Sequence, residues 1–152
     1  MNDNRPGTST KGKPYQLIVL TRPACAKTIK PGHAMIAIGD NRYPEYKKAR
    51  CLEAWGFYPD GIRDELAQDN LHLYTRSVVI PITSEQYRKI RKAVEDWKLT
   101  DPNWILGFRD CTDFVQKMLA SIGIHIEDYL WPDNFGLSLE SRFGSKWGHC
   151  RP

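Results

Sequence analysis

A capped helix with a cysteine on its first turn constrains this chain more than any other stretch. Asp110 is an N-cap residue, and Asp113, three positions later, completes a capping box. Apolar residues then recur at helical spacing as far as Gly123, a natural stop; they are Phe114, Val115, Met118, Leu119 and Ile122. Cys111 falls on the same stripe, so we expect its thiol at the helix N-terminus, facing the protein body.

Cys111 has two interpretations at this position. The helix macrodipole stabilises a thiolate at a helix N-terminus, which is one way to make a cysteine reactive. Free cysteines are also commonly buried and inert, in which case Cys111 is a small core residue at the end of a packed helix. The helix taken alone favours the core interpretation.

Size and composition are those of a single globular domain. The chain has 152 residues, with 41 % hydrophobic and 26 % charged residues. Residues 1–13 are rich in Asn, Gly, Ser, Thr and Lys and predict a flexible leader, which leaves residues 14–152 as one domain. The net charge of +4 is compatible with an anionic partner but too small to imply one.

Four cysteines lack the spacing of a zinc site, so a structural metal is not expected. A disulfide among Cys25, Cys51 and Cys150 is open, and the sequence does not choose a pairing. No apolar run is long enough to span a membrane, and the N-terminus has no signal-peptide core. We therefore expect the protein in the cytoplasm of its producer, with any secretion following another route.

The rest of the chain predicts an α+β fold. Strands are expected over Tyr15–Thr21, Gly32–Asp40, Cys51–Tyr58 and Val78–Ile82, with Pro81 indicating an edge position or a strand end. Ile62–Asn70 is charged and predicts a short helix. A longer helix begins at Thr83, which forms a capping box with Gln86 and precedes an apolar stripe of Tyr87, Ile90, Val94 and Trp97. A further short helix is expected over Asn134–Ser141.

A cysteine nucleophile needs a base and a group that orients the base. His33 stands out among four histidines because it opens a strand directly after Pro31-Gly32, where it can face a helix N-terminus. The others are His72, His125 and His149. Any single histidine is more often a polar residue at a strand end.

Glu53 is the third candidate, since strand alternation groups it with Cys51, Trp55 and Phe57, where a carboxylate needs a partner. A solvent-exposed Glu53, or one paired with Arg50 or Arg63, remains open.

Three segments resemble the circularly permuted papain-like hydrolases, a branch of the NlpC-type superfamily that includes the lecithin:retinol acyltransferase-like enzymes. The segments are GHAMIAIG at 32–39, EAWGFYP at 53–59 and DCTDFV at 110–115. In that group the histidine comes first, on a strand, and the cysteine later, at a helix start. The cysteine there often follows Asn and precedes an aromatic residue by three positions. Phe114 matches the aromatic residue, whereas Asp110 departs from Asn.

This resemblance covers roughly residues 30–125 and implies a permuted papain-like fold, with an antiparallel sheet packed against the cysteine helix. It implies Cys111 as nucleophile, His33 as base and Glu53 as third residue, with no cofactor. The implied reaction is cleavage of an amide, most typically in peptidoglycan stem peptides. A phospholipid ester, a protein substrate, and a non-enzymatic binding domain with a structural cysteine are the alternatives.

Several bacterial effectors of type VI and related secretion systems look like this: small, single-domain and without a signal peptide. The resemblance therefore implies an antibacterial toxin and an inhibitory immunity protein as partner, with the toxin acting in the periplasm of a target cell. We expect a monomer. Nucleic acid is not expected as a partner, because acidic residues interleave with the basic clusters at Lys47-Lys48, Arg50 and Arg88–Lys92.

Overall fold

The computed structural model describes residues 12–23, 32–40, 50–68, 74–100, 103–105, 110–126 and 132–144. Most of the leader expected over residues 1–13 lies outside them. Five strands are present: β1 (Tyr15–Arg22), β2 (His33–Asp40), β3 (Arg50–Tyr58), β4 (Gly61–Asp64) and β5 (Arg76–Ile82). Three helices follow: α1 (Ser84–Thr100), α2 (Cys111–Ala120) and α3 (Pro132–Phe143). The α+β class is confirmed.

The strands form one antiparallel sheet in the order β4-β3-β2-β1-β5. β5 lies at an edge, as Pro81 indicated, because an edge strand tolerates a residue without an N–H. The short helix predicted over Ile62–Asn70 is wrong. The tight turn before Gly61 reverses the chain, so that Ile62 pairs with Phe57 across a β3–β4 hairpin, and a turn follows at residues 65–68.

Both faces of the central strands are buried. One, which we call the helix face, packs against the three helices; it includes Leu17, Val19, Ile36, Ile38, Val78 and Ile80. The opposite surface, which we call the far face, includes Ile18, Leu20, Met35, Ala37, Ala54 and Val79. Successive strand residues alternate between these faces. A central strand such as β2 is therefore apolar on both sides, and every one of its residues is buried.

Local hydrogen bonds begin α1 and α2 where the sequence predicted their capping boxes. Thr83 and Gln86 exchange main-chain to side-chain hydrogen bonds of 2.9 and 3.1 Å ahead of α1. At α2, the Asp110 carboxylate accepts from the N–H groups of Thr112 and Asp113 at 3.0 and 3.1 Å. The Asp113 carboxylate accepts from the Asp110 N–H at 3.0 Å. Both capping boxes are confirmed.

The ends of α2 and the position of α3 also agree with the sequence. α2 stops at Ala120 and turns through Gly123, whose φ of +82° favours glycine. α3 covers the short helix expected over Asn134–Ser141 and extends it at both ends. None of the described helices is both long and apolar enough to cross a bilayer.

Replacing Asp110 by Ala removes the acceptor for two N–H groups at a buried helix start. We expect Asp110→Ala to lower the free energy of unfolding by about 1–2 kcal/mol. Asp110→Asn is the matched control, since Asn also accepts at an N-cap, and it should stay closer to the wild type. Urea unfolding followed by circular dichroism measures both variants. Equal stability of Asp110→Ala and the wild type would contradict this account of the cap.

Candidate functional site

Cys111 is the first residue of α2 and packs into the core on the helix face, where it is 5 % exposed. Burial raises the pKa of its thiol to about 11; hydrogen bonds from the backbone of Ala34 and Thr112 oppose the rise, and the charge of Asp110 adds to it. The cost of burying a thiolate outweighs the favourable helix N-terminus. At neutral pH Cys111 is therefore a protonated thiol.

His33 is the first residue of β2, and its side chain lies on the far face. The imidazole stacks on Tyr58, with ring centroids 4.2 Å apart, and its centroid is 6.1 Å from that of Tyr74. The next residue, Ala34, belongs to the helix-face core together with Cys111. Because neighbouring strand residues point to opposite faces, the imidazole points away from Cys111.

The dyad expected from Cys111 and His33 is consequently not assembled. Within the described residues, no hydrogen bond or ion pair joins the two side chains. The thiol reaches the backbone of Ala34, and the strand itself separates it from the imidazole. The expectation that His33 faces the helix N-terminus is wrong because Ala34, Ile36 and Ile38 occupy the helix face of β2.

Glu53 lies on the helix face at the other end of the sheet. Glu53 on β3 pairs with Ile38 on β2. Ile38 is five residues from His33, a distance of about 17 Å along the strand. Its carboxylate accepts hydrogen bonds from Trp55 Nε1 at 3.1 Å and Tyr87 Oη at 2.6 Å. Arg91 completes the cluster at 3.7 Å. Glu53 therefore fastens α1 to the sheet and does not orient His33, which corrects its expected role.

The carboxylate beside His33 belongs to Glu65. Its Oε1 lies 3.4 Å from His33 Nε2, and the Glu65 side chain has no exposed surface. The chain is held there because the Glu65 N–H donates to the Ala54 carbonyl at 3.0 Å, which continues the β3–β4 hairpin by one residue. Sequence reasoning missed Glu65 because it fell in the stretch predicted as helix. The turn signal Pro59-Asp60-Gly61 was the available clue to a hairpin.

Gly56 makes room for this pair. A Cβ at position 56 would overlap the Glu65 carboxylate oxygen and lie 2.8 Å from His33 Nε2. On the far face of β3, the Glu65 carboxylate and the His33 imidazole thus fill the space that a side chain at position 56 would occupy. A side chain at position 56 would displace this pair, so glycine is favoured there by the close approach rather than by backbone conformation.

Two tyrosines extend the pair into a polar cluster. Burial, and next a hydrogen bond to the Glu65 carboxylate, raise the pKa of Tyr58. Burial, and next the charge of Glu65, raise the pKa of Tyr74, which also hydrogen-bonds to Tyr58. Both phenols stay protonated at neutral pH. The Tyr58 hydroxyl donates to the buried Glu65 carboxylate, and the Tyr74 hydroxyl donates to Tyr58.

Burial is also the main influence on His33 and lowers the pKa of its imidazole, while Glu65 opposes that shift. The charges of Arg22 and Arg63 lower this pKa further. The imidazole is therefore neutral at pH 7. With Nε2 towards the carboxylate, Nδ1 is the nitrogen left to accept a proton.

Among the remaining histidines, His125 is the one that the described ranges include, and it takes no part in this cluster. His125 is exposed, and its carbonyl accepts from Arg142 at 3.2 Å. His72 and His149 lie outside the described residues. Cys51 is disulfide-bonded, and its partner lies outside them as well. In the described ranges, no three His, Cys, Asp or Glu side chains converge as ligands of a metal ion.

Comparison of the chain with protein-family models, with curated protein sequences and with solved structures gave no match.

The thiol of Cys111 should react slowly. A buried thiol with a raised pKa carries little thiolate at pH 7.5, so iodoacetamide should modify Cys111 far more slowly in the native protein than in guanidinium chloride. Site-resolved mass spectrometry measures the rate, and His33→Asn should leave it unchanged. Fast labelling at neutral pH that slows sharply in His33→Asn would show that His33 activates Cys111 and would contradict this account.

The lowered pKa of His33 predicts an acid-sensitive fold. As the pH falls below about 6.5, His33 takes up a proton in the unfolded chain but stays neutral in the native state. The unfolding free energy of the wild type should therefore fall between pH 7.5 and pH 5.5 by more than that of His33→Gln. Urea titrations across this range measure the difference.

His125→Gln is the matched control for that experiment, because His125 is exposed. It should follow the wild type at every pH. Parallel pH profiles for the wild type and His33→Gln would show that His33 titrates alike in both states.

Proposed function

We propose that the protein is a hydrolase in which His33 is the general base, Glu65 orients it, and Cys111 is a structural core residue. One observation carries the proposal: the buried contact of 3.4 Å between His33 Nε2 and Glu65 Oε1. A carboxylate on one imidazole nitrogen selects the tautomer and stabilises the imidazolium that forms when the other nitrogen takes a proton.

The cost of this arrangement supports a functional role. Burying a carboxylate and an imidazole is unfavourable, and apolar side chains of similar volume often serve stability as well or better. Here a far-face position is instead kept free by Gly56 so that both groups fit. Buried titratable groups with shifted pKa values and specific charge partners concentrate at functional sites.

The proposed reaction is hydrolysis with water as nucleophile. His33 Nδ1 takes a proton from water while the oxygen adds to the acyl carbon, and the carbonyl becomes an oxyanion. The oxyanion collapses and breaks the bond to the leaving group, which takes the proton back from His33. One water is consumed, and an acid and an amine or alcohol are released.

The substrate is proposed from the resemblance to permuted papain-like hydrolases. An amide in a peptidoglycan stem peptide is the first candidate, and a phospholipid ester is the second. The order of a histidine strand before a cysteine helix, with an antiparallel sheet against that helix, supports a permuted papain-like fold. The separation of His33 from Cys111 weighs against the cysteine mechanism of that group. A role as antibacterial effector with an immunity protein belongs to the same proposal.

Four proteins test the catalytic assignment: the wild type, His33→Asn, Glu65→Gln and Cys111→Ala. Each is incubated with purified sacculi and, separately, with phospholipid vesicles, and the products are quantified by mass spectrometry. We expect His33→Asn to lose about 100-fold or more of the activity, the contribution typical of a general base. Glu65→Gln should lose less, and Cys111→Ala should stay within about threefold of the wild type.

His125→Asn serves as the matched control and should keep full activity. Loss of activity in Cys111→Ala with retention in His33→Asn would make the cysteine the nucleophile and refute the proposal. Equal product release by the wild type and His33→Asn would show that the far-face cluster around His33 takes no part in catalysis.

A further inference from the structure

The cluster around His33 contains an arginine, Arg22, that has no role in the proposed catalysis. Arg22 is the last residue of β1 and pairs directly with His33 across the β1–β2 ladder. Directly paired residues on antiparallel strands project from the same face. Arg22 therefore lies on the far face beside the imidazole.

Several observations place the guanidinium of Arg22 within the cluster. Its central carbon lies 5.9 Å from the centroid of the Tyr74 ring. Its charge lowers the pKa values of His33, Tyr58 and Tyr74, although burial remains the largest influence on each. One positive charge thus acts on three members of the site.

Arg22 is held there without a carboxylate of its own. Its Nε is buried and has no hydrogen-bond partner, and no ion pair to Arg22 occurs in the described part of the chain. Arg63, a second cation near the cluster in the described part of the chain, differs on this point. It lies 4.1 Å from the Tyr58 ring centroid but is paired with Asp60 at 3.0 Å.

An unpaired guanidinium next to an acid–base pair matches an anionic substrate group. Its planar fork of donors fits two oxygens of one carboxylate or phosphate, and such charge-assisted bonds are strong where water is scarce. Both candidate substrates carry a group of this kind close to the scissile bond: a carboxylate in stem peptides and a phosphate in phospholipids.

We propose that Arg22 binds an anionic oxygen group of the substrate next to the bond that His33 hydrolyses, so the site selects substrates carrying a carboxylate or phosphate there. This inference rests on the proposed function, because it assigns specificity to the same site. Arg22 then contributes mainly to substrate binding, whereas His33 contributes to the chemical step.

A binding experiment tests this inference without requiring catalysis. Acetyl-D-alanine represents a carboxylate source and dimethyl phosphate a phosphodiester source. Each is titrated into the wild type while the imidazole resonances of His33 are followed by NMR. We expect a saturable shift with at least one of them, and the compound that saturates at the lower concentration identifies the source.

Arg22→Gln should weaken that binding by about tenfold or more, as expected for loss of a charge-assisted hydrogen bond. Arg22→Lys keeps the charge but loses the fork, so it should bind with intermediate affinity. Arg88→Gln, on the exposed face of α1, is the matched control and should bind as the wild type does. Thermal melts of the free proteins verify that the variants fold.

No saturable shift in the wild type, or equal binding by the wild type and Arg22→Gln, would overturn the inference. The protein could also bind these anions through Arg22 and yet hydrolyse neither sacculi nor vesicles. That result would support the anion site and contradict only the proposed hydrolase function. In an active enzyme, Arg22→Gln should raise KM by a larger factor than it lowers kcat. A selective loss of kcat would contradict a binding role.

Discussion

The alternation of side chains along β2 determines which groups lie next to Cys111 and which lie next to His33. Ala34 points towards α2 and packs with Cys111, so His33 must point to the other side of the sheet. The thiol of Cys111 on α2 and the imidazole of His33 on β2 thereby lie on opposite sides of the sheet. Each then acquires different neighbours: a hydrophobic core around the thiol, and Glu65 with two tyrosines around the imidazole.

The two sides of the sheet also divide the structural and the proposed catalytic roles of the acidic residues. Glu53 receives donors from Trp55, Tyr87 and Arg91 on the helix face and holds α1 in place. Glu65 is buried on the far face, where Gly56 leaves space for it against His33. Both carboxylates are partnered, but only Glu65 is partnered by a group that can exchange a proton near neutral pH.

Local features of the sequence predicted much of the fold. The caps at Thr83 and Asp110 were predictable because each depends on side chains within three residues of the helix start. The edge position of β5 followed from Pro81, since a missing N–H restricts where a strand can lie. The bounds of β1, β2, β3 and β5 were predictable to within one or two residues, whereas β4 lies largely in the stretch that was predicted as helix.

The site was less predictable for two physical reasons. β2 is apolar on both faces, so its sequence carries no polarity to show which side His33 takes. Glu65 reaches His33 only through the β3–β4 hairpin, a pairing of segments that depends on the tight turn before Gly61. The resemblance to papain-like hydrolases drew attention to His33, but the carboxylate that lies beside this histidine is Glu65 and not Glu53.

The most direct test of the account is the ¹⁵N NMR spectrum of the His33 ring at pH 7, compared between the wild type, Glu65→Gln and Cys111→Ala. The account predicts a neutral imidazole with its proton on Nε2, nitrogen shifts that change in Glu65→Gln, and shifts that stay the same in Cys111→Ala. An imidazole that responds to Cys111→Ala and ignores Glu65→Gln would contradict it, because the thiol would then be the partner of His33.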